Sequence, residues 1–363
     1  MAIVYNFSAG PAVMPKEVLE KVQRELLSYK NSGMSVMEIS HRSSLFADIQ
    51  KNAEGNLRKL MNIPDEYDVL FLQGGATLQF TMAPMNLAIN KKKVDFVDTG
   101  HWAQRAIEEA RLVDGIEVTQ ITSGADSKYT SLPEIDDSLQ EDADYVHITL
   151  NNTIEGTAFK TVPTFKEVPI IGDMSSNILG QRYNVTDFGM IYAGAQKNIG
   201  PAGLTVVIIR HDLVEKSPDL PAMLSYKKLV AKNSTLNTPP VFAIYCAGLV
   251  FEWLLAQGGV DEMEKRNRKK SQLLYDYLDS SSVFQSPVAI ESRSLTNIPF
   301  VTDNAELDKQ FIALANDNNL VGLKGHRLVG GMRASLYNAF PIEGVEKLIT
   351  VMEKFELEHK EVD

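Results

Sequence analysis

The chain has 363 residues, of which 44% are hydrophobic and 23% are charged, and its formal net charge is −11. A chain of this length and composition can bury a large core in one or two domains without crosslinks. The excess of acids excludes a generally basic nucleic-acid surface, so an anionic ligand would need a local basic pocket.

The chain has one cysteine, Cys246, which excludes an intrachain disulfide and a zinc site made of thiolates. The N-terminal run MAIVYNFSAGP lacks the basic region and apolar core of a secretory signal. The most apolar stretch, Val241–Ala256, is interrupted by Glu252 and is short for a bilayer, so we expect a buried or interface helix. These features predict a cytoplasmic protein.

The predicted elements alternate along the first two thirds of the chain. Helical spacing of apolar residues predicts a helix that begins near Pro15 and a second helix over residues 45–61. Strands are predicted over residues 69–72, 94–97, 145–150, 169–171, 190–193 and 204–209. Alternation of apolar strands with helices is typical of an α/β fold whose mainly parallel sheet is covered on both faces. Ligands of such sheets bind beyond the carboxyl ends of the strands.

The character of the sequence changes near residue 258. A charged helix over residues 261–278 is followed by short strands over residues 298–301 and 332–337, and an amphipathic helix begins near Val345. We therefore expect a large domain over residues 16–258 and a smaller α+β domain over residues 259–363. The N-terminal segment, residues 1–15, is expected to associate with the smaller domain.

Small residues follow the first predicted strand, in the run Gln73-Gly-Gly-Ala-Thr77. A helix that begins here would offer free N–H groups and a favourable dipole, which together bind an anion such as phosphate. The run matches neither GxGxxG nor the GK[ST] of a P-loop. A glycine turn without a ligand is an equal alternative on this pattern alone.

Chemically useful side chains follow the other predicted strands. Trp102 is placed to stack on a flat ring or to pack in the core, and Asn151, Asn152 and Thr153 are suited to hydrogen bonds or turns. Asp173 directly follows a buried strand, where a carboxylate needs a partner or caps a helix.

Lys197 follows Gln196 on the connection between two strand-like runs. A lysine in partly apolar surroundings loses some preference for its charged form, although most lysines are solvated loop or surface residues. The strand ends therefore combine an anion-binding turn, an aromatic ring, a carboxylate and an amine. A pyridoxal 5′-phosphate site requires this combination, because the lysine binds the cofactor and the carboxylate holds its ring nitrogen protonated.

Longer motifs carry a resemblance that runs nearly end to end. They are NFSAGPAVMP, SVMEISHRS, GGATLQF, YAGAQKNIGPAGLT, LNTPP and LKGHRLVGGMRASLYNA. The chain closely resembles the phosphoserine aminotransferase family, a branch of the class V aminotransferases of pyridoxal-phosphate fold type I. The resemblance implies a large domain with a mainly parallel seven-stranded sheet and a smaller α+β C-terminal domain.

The resemblance also implies roles for the residues that bind the cofactor. Lys197 would bind pyridoxal 5′-phosphate covalently and Asp173 would pair with its ring nitrogen. Trp102 would stack on the ring, and Thr153 would contact its polar edge. The phosphate would be held by Ala76, Thr77 and Gln196 of one subunit and by Asn237 and Thr238 of the neighbouring subunit. Some relatives have Gly-Arg in place of Ala76-Thr77, so phosphate binding here would depend more on backbone N–H groups.

By the same resemblance, the substrates are small anions in a homodimer with shared active sites. The implied reaction interconverts O-phospho-L-serine plus 2-oxoglutarate and 3-phosphooxypyruvate plus L-glutamate in L-serine biosynthesis. Some relatives also transaminate 4-phosphooxy-L-threonine in pyridoxine biosynthesis, which the sequence leaves open. Arg333 would bind the α-carboxylate, and the distal anion would meet His326 and Arg327 of one subunit and His41 and Arg42 of the other.

Three other functions compete with transamination. A lyase or desulfurase of the same fold needs a mobile nucleophilic cysteine, but Cys246 lies in the apolar run VFAIYCAGLVF. A nicotinamide-dependent dehydrogenase is disfavoured because GxGxxG is missing. A binding protein without catalysis would be expected to lack Lys197 or Asp173, and both are present.

Overall fold

The computed structural model describes residues 3–136, 142–302 and 304–359. The helices are α1 (Lys16–Glu25), α2 (Ser44–Met61), α3 (Gly75–Leu87), α4 (His101–Ala110), α5 (His211–Glu215), α6 (Tyr226–Val230), α7 (Val241–Ala256), α8 (Gly259–Ser280), α9 (Ala305–Asp317) and α10 (Ile342–His359). The strands are β1 (Tyr5–Asn6), β2 (Tyr67–Leu72), β3 (Lys93–Asp98), β4 (Glu117–Ser123), β5 (Tyr145–Thr149), β6 (Ile170–Asp173), β7 (Met190–Gly194), β8 (Thr205–Arg210), β9 (Asn297–Phe300), β10 (Leu320–Val321) and β11 (Met332–Ser335).

A seven-stranded sheet with the order β2-β8-β7-β6-β5-β3-β4 forms the centre of the fold. Strand β8 runs antiparallel to both of its neighbours, and the other neighbouring pairs are parallel. The predicted α/β class and mainly parallel sheet are therefore confirmed. Strand β4 was not among the predicted strands.

Helices cover both faces of this sheet because its strands are apolar on both sides. One cluster of buried side chains joins one face to α2 and α7. A second cluster joins the opposite face to α3 and α4. Apart from the exposed Glu252, helix α7 is apolar round its circumference, as expected of a helix packed between α1, α2 and α8. No single helix among the described residues is long and apolar enough to cross a membrane, and α7 with α8 satisfies that criterion only as a pair bent by 82°.

A third apolar cluster lies among α8, α9, α10 and the antiparallel pair β9–β11. It also includes Phe7 from the N-terminal segment, and β1 pairs in parallel with β10. Helix α8 begins after Gly258, whose φ of 97° suits glycine at a sharp turn between two helices. The division into residues 1–15, 16–258 and 259–363 stays a prediction.

Candidate active site

A cavity of about 260 Å³ opens at the carboxyl ends of the parallel strands. Its lining combines residues from the strand ends with residues of the N-terminal segment and of β11. The predicted site residues that line it are Ala76, Thr77, Trp102, Thr153, Asp173, Gln196, Lys197, His326 and Arg333. Side chains far apart in sequence thus meet where the topology of a parallel sheet places ligands.

Lys197 lies on the short connection from β7 to β8. Because β8 runs antiparallel to β7, this connection stays at the end of the sheet where the cavity opens. Its Nζ donates a hydrogen bond to Thr153 Oγ1 at 2.7 Å. Burial lowers the pKa of this amine to about 8, helped by the nearby charge of Arg333 and opposed by Asp173. The amine therefore loses its proton more readily than an exposed lysine.

Asp173 is the last residue of β6, and its side chain is buried. Burial raises the pKa of this carboxyl above its ordinary value, although hydrogen bonding by Ser175, the charge of Lys197 and the nearby Tyr192 hydroxyl oppose that effect. The Ser175 backbone N–H donates to Asp173 Oδ1 at 2.8 Å. The Ser175 N–H therefore holds this carboxyl group in place in the cavity wall.

The N-terminus of α3 forms another part of the cavity wall. The turn before it contains Gly74 and Gly75 with φ values of 95° and 67°, which favour glycine. No side chain caps this helix, and Ala76 and Thr77 lie in its first turn. The first-turn N–H groups therefore remain available to an anion, and their binding of a phosphate stays a prediction.

Trp102 lies in the first turn of α4, with Phe80 of α3 behind it at 6.5 Å between ring centroids. The buried side of this turn is held by Glu155, whose Oε1 accepts a hydrogen bond from the His101 backbone N–H at 2.8 Å. Gly100, with φ of 151°, leaves the space that the Glu155 carboxylate occupies. Sequence reasoning missed Glu155, although an acid two residues after Thr153 was a usable signal.

Arg333 on β11 reaches the cavity from the other side. Its Nη1 donates to the Thr153 carbonyl oxygen at 3.1 Å, and its Nε is buried with no partner among the described residues. The ring of His326 lies 5.9 Å from the ring of His101. Burial lowers the pKa of both imidazoles, and the positive charge of the exposed Arg327 adds to this effect. The positive charge at this end of the cavity therefore comes from the guanidinium groups of Arg327 and Arg333, because the lowered pKa values favour neutral imidazoles.

Five predicted residues do not line this cavity: Arg327, which lies near His326, and four that the resemblance assigns to the neighbouring subunit. His41 and Arg42 lie just before α2, outside the cavity lining. Asn237 Nδ2 donates to Gln73 Oε1 at 3.2 Å, and Gln73 Nε2 donates to the Thr238 carbonyl oxygen at 3.2 Å. Asn237 and Thr238 are both exposed on the surface beside α3. Their contribution to the site of a second subunit stays a prediction.

Cys246 lies in α7, buried in the cluster on the opposite side from the α3 face. Burial raises the pKa of its thiol to about 12. It is not a cavity residue of the described chain. A buried thiol with a raised pKa is a poor nucleophile, which argues against the desulfurase alternative.

Comparisons with known proteins agree over nearly the whole chain. The family model described as aminotransferase class-V matches residues 4–348. The phosphoserine aminotransferase of Listeria monocytogenes is 61% identical over 355 residues, which cover 98% of this chain and 97% of that protein. The solved structure of phosphoserine aminotransferase from Bacillus circulans subsp. alkalophilus is 45% identical, with a TM-score of 0.95 over 98% of this chain and 99% of that chain. The pyridoxal-phosphate-bound phosphoserine aminotransferase from Trichomonas vaginalis is 38% identical, with a TM-score of 0.92 over 97% and 100%.

Proposed function

Since the chain belongs to the aminotransferase class-V family, we propose that it interconverts O-phospho-L-serine plus 2-oxoglutarate and 3-phosphooxypyruvate plus L-glutamate, with pyridoxal 5′-phosphate as cofactor. The observation that carries this proposal is Lys197. Its amine lies in a cavity that also holds a carboxylate, an indole and an open helix N-terminus. Relatives that are 54–61% identical are named phosphoserine aminotransferases, which supports the choice of substrate.

The residues present fit this cofactor. The cavity holds Thr149 Oγ1 and Arg333 Nε, both buried and without partners among the described residues. Unpaired buried polar atoms are costly unless a ligand meets them. Asp173 would hold the ring nitrogen, Trp102 would cover the ring, and the first turn of α3 with Gln196 would hold the phosphate. When bound, pyridoxal 5′-phosphate accepts the electrons released as the Cα–H bond of the amino acid breaks.

Lys197 is the acid–base group in this proposal. Burial lowers its pKa to about 8, so part of the amine is uncharged near neutral pH and can take the proton from the substrate Cα. The hydrogen bond to Thr153 Oγ1 fixes the direction of Nζ. Because it carries the proton it has taken, the same amine would then serve as the acid that donates this proton to the aldehyde carbon of the cofactor rather than back to Cα.

The guanidinium of Arg333 is the group suited to the α-carboxylate that glutamate and phosphoserine share. Its planar fork binds two carboxylate oxygens at once. Arg327 provides positive charge for the distal carboxylate or phosphate, and the neighbouring His326 lines the cavity and can donate a hydrogen bond from its ring. Because the two substrates share the α-carboxylate and both carry an anion at the distal end, one site can bind each in turn.

The proposal includes a homodimer in the cytoplasm. His41, Arg42, Asn237 and Thr238 would complete the cavity of the neighbouring subunit, since none of them lines the cavity of its own chain. A shared site of this kind requires a two-fold arrangement in which each subunit gives what it receives.

The test is a rate measurement with both substrates. Purified protein loaded with pyridoxal phosphate should form glutamate from O-phosphoserine and 2-oxoglutarate, and initial-rate lines at several fixed 2-oxoglutarate concentrations should be parallel. Borohydride should fix the cofactor on the peptide that contains Lys197. Intersecting lines, or no reaction with phosphoserine, would contradict the proposal. A parallel assay with 4-phosphooxy-L-threonine decides whether that substrate is also used.

A further inference from the structure

Two buried polar side chains lie behind Asp173, away from the cavity. Tyr192 is on β7 and His147 is on β5, the two strands that flank β6 in the sheet. The register pairs Asp173 with Tyr192 on one side and with Thr149 on the other. His147 precedes Thr149 by two residues and therefore points to the same face of the sheet. Three ionisable groups on adjacent strands thus share one buried face.

The hydrogen bond between His147 and Tyr192 has a defined donor and acceptor. His147 Nε2 lies 2.7 Å from Tyr192 Oη, while His147 Nδ1 is buried with no partner among the described residues. Burial lowers the pKa of His147 to about 3, so the ring is neutral and carries one proton. A proton on Nδ1 would leave a buried N–H without an acceptor. The proton therefore belongs on Nε2, where it is donated to the Tyr192 oxygen.

The Tyr192 hydroxyl hydrogen is then free to be donated onward. The acidic group on this face is the Asp173 carboxylate. Asp173 pairs with Tyr192 in the register of β6 with β7, and the Tyr192 hydroxyl lowers the pKa of this carboxyl. We infer that His147 and Tyr192 are positioning residues, which form a one-way hydrogen-bond relay that keeps the Asp173 carboxylate ionised and directed into the cavity. The inference rests on the proposed cofactor, whose ring nitrogen is the group that this carboxylate would meet.

The surroundings explain why such a relay is needed. Burial favours the neutral form of Asp173, and the groups that oppose it are Ser175, Lys197 and Tyr192. Around Tyr192 the other titratable groups are the phenols of Tyr145 and Tyr226, neither of which supplies positive charge. The His147 ring packs against the Phe96 ring at 5.0 Å, with no charge there. Removing the Tyr192 hydroxyl therefore removes one of few forces that keep the carboxylate ionised.

The test compares two tyrosine-to-phenylalanine variants. Tyr192→Phe removes the donor but keeps the ring that packs against Phe80 at 6.2 Å. Tyr145→Phe is the matched control, because the Tyr145 hydroxyl is equally buried and has no hydrogen-bond partner within residues 3–136, 142–302 and 304–359. The measurement is the Kd of the cofactor-free protein for pyridoxal 5′-phosphate, by tryptophan fluorescence, as a function of pH below neutrality. Titration of the free cofactor is common to all variants and cancels in the comparison.

Tyr192→Phe should weaken cofactor binding roughly tenfold or more, since it removes a hydrogen bond to a charged group. The pH below which cofactor binding is lost should rise by about one unit, because a tenfold weaker stabilisation of the Asp173 carboxylate raises its pKa by about one unit. Tyr145→Phe should stay within about twofold of the wild type, since no hydrogen bond is removed. Equal Kd values and equal pH profiles for the two variants would overturn the inference.

Variants of His147 test the relay independently and serve if Tyr192→Phe does not fold. His147→Gln keeps an N–H donor and should retain the wild-type pH profile. His147→Leu removes the donor and should shift the acid side upward in the same direction as Tyr192→Phe. An unshifted profile in a folded His147→Leu protein would overturn the relay. If the wild-type protein binds no pyridoxal phosphate, the proposed function fails instead.

Discussion

Glu356 on α10 gives the sharpest prediction about stability. Its carboxylate accepts hydrogen bonds from Tyr277 Oη at 2.7 Å, Ser281 Oγ at 2.9 Å, and the Ser282 N–H and Oγ at 2.8 Å each. Burial opposes its ionisation, but these four donors outweigh burial and lower its pKa from 4.5 to about 2. The contact ties the end of α8 and the following turn to α10.

The magnitude follows from the lowered pKa. A carboxyl whose folded pKa lies about 2.5 units below its unfolded pKa contributes about 3 kcal/mol at neutral pH. Because the folded pKa is the lower one, this contribution is present above the unfolded value and is lost as pH falls toward 2. Glu356→Gln keeps the size of the side chain but removes the charge. We expect it to lower the free energy of unfolding by about 3 kcal/mol and Tm by about 4 °C.

The assay is urea unfolding of the wild type and of Glu356→Gln at several pH values. Glu353→Gln is the control, since Glu353 is exposed on the same helix. The difference between wild type and Glu356→Gln should fall to about half by pH 3, while Glu353→Gln should stay near the wild type throughout. A loss below about 1 kcal/mol at neutral pH, or a loss that does not change with pH, would refute the reasoning.

Three further predictions concern the active site. Lys197→Ala should fold and lose nearly all turnover, and mass spectrometry after borohydride should find no fixed cofactor; wild-type activity would contradict its role. In the cofactor-free protein, the pKa of Lys197 is about 8 in the folded state, which is below its value in the unfolded state. The free energy of unfolding should therefore rise with pH above 8 in the wild type and rise less in Lys197→Met. Thermal unfolding at a series of pH values measures this difference. Mixing inactive Lys197→Ala subunits with Arg42→Ala subunits should restore up to about one quarter of wild-type activity if sites are shared, and none if each chain is self-sufficient.

Local patterns predicted the part of the site that lies at the strand ends. Thr77, Trp102, Asp173 and Lys197 each follow an apolar run that forms a strand of the sheet, and parallel strands bring their carboxyl ends together. Arg333 was found through its motif, because it comes from β11, which is paired with β9 outside the main sheet. No local pattern tells which of two sheets will border a cavity.

Strand β4 was missed for a specific physical reason. Its apolar residues Val118 and Ile121 are three apart, so the alternation that predicts a strand is broken. The structure has a register shift between Phe96 and Val97 in the pairing of β3 with β4, where Ile121 is the extra residue. The relay of His147 and Tyr192 was also out of reach, because it depends on the register of three strands rather than on any one of them.

The N-terminal segment has a consequence for the order of folding. Ala9 and Gly10 form part of the cavity wall, but Ala9 is held by a hydrogen bond from Tyr337, and β1 pairs with β10. At a synthesis rate of about 5–20 residues per second, the ribosome needs on the order of 15 to 60 s to reach Leu320 after it has made β1. A nascent chain can therefore assemble its central sheet while one wall of its cavity is still missing. Catalytic competence should appear only when translation is almost complete.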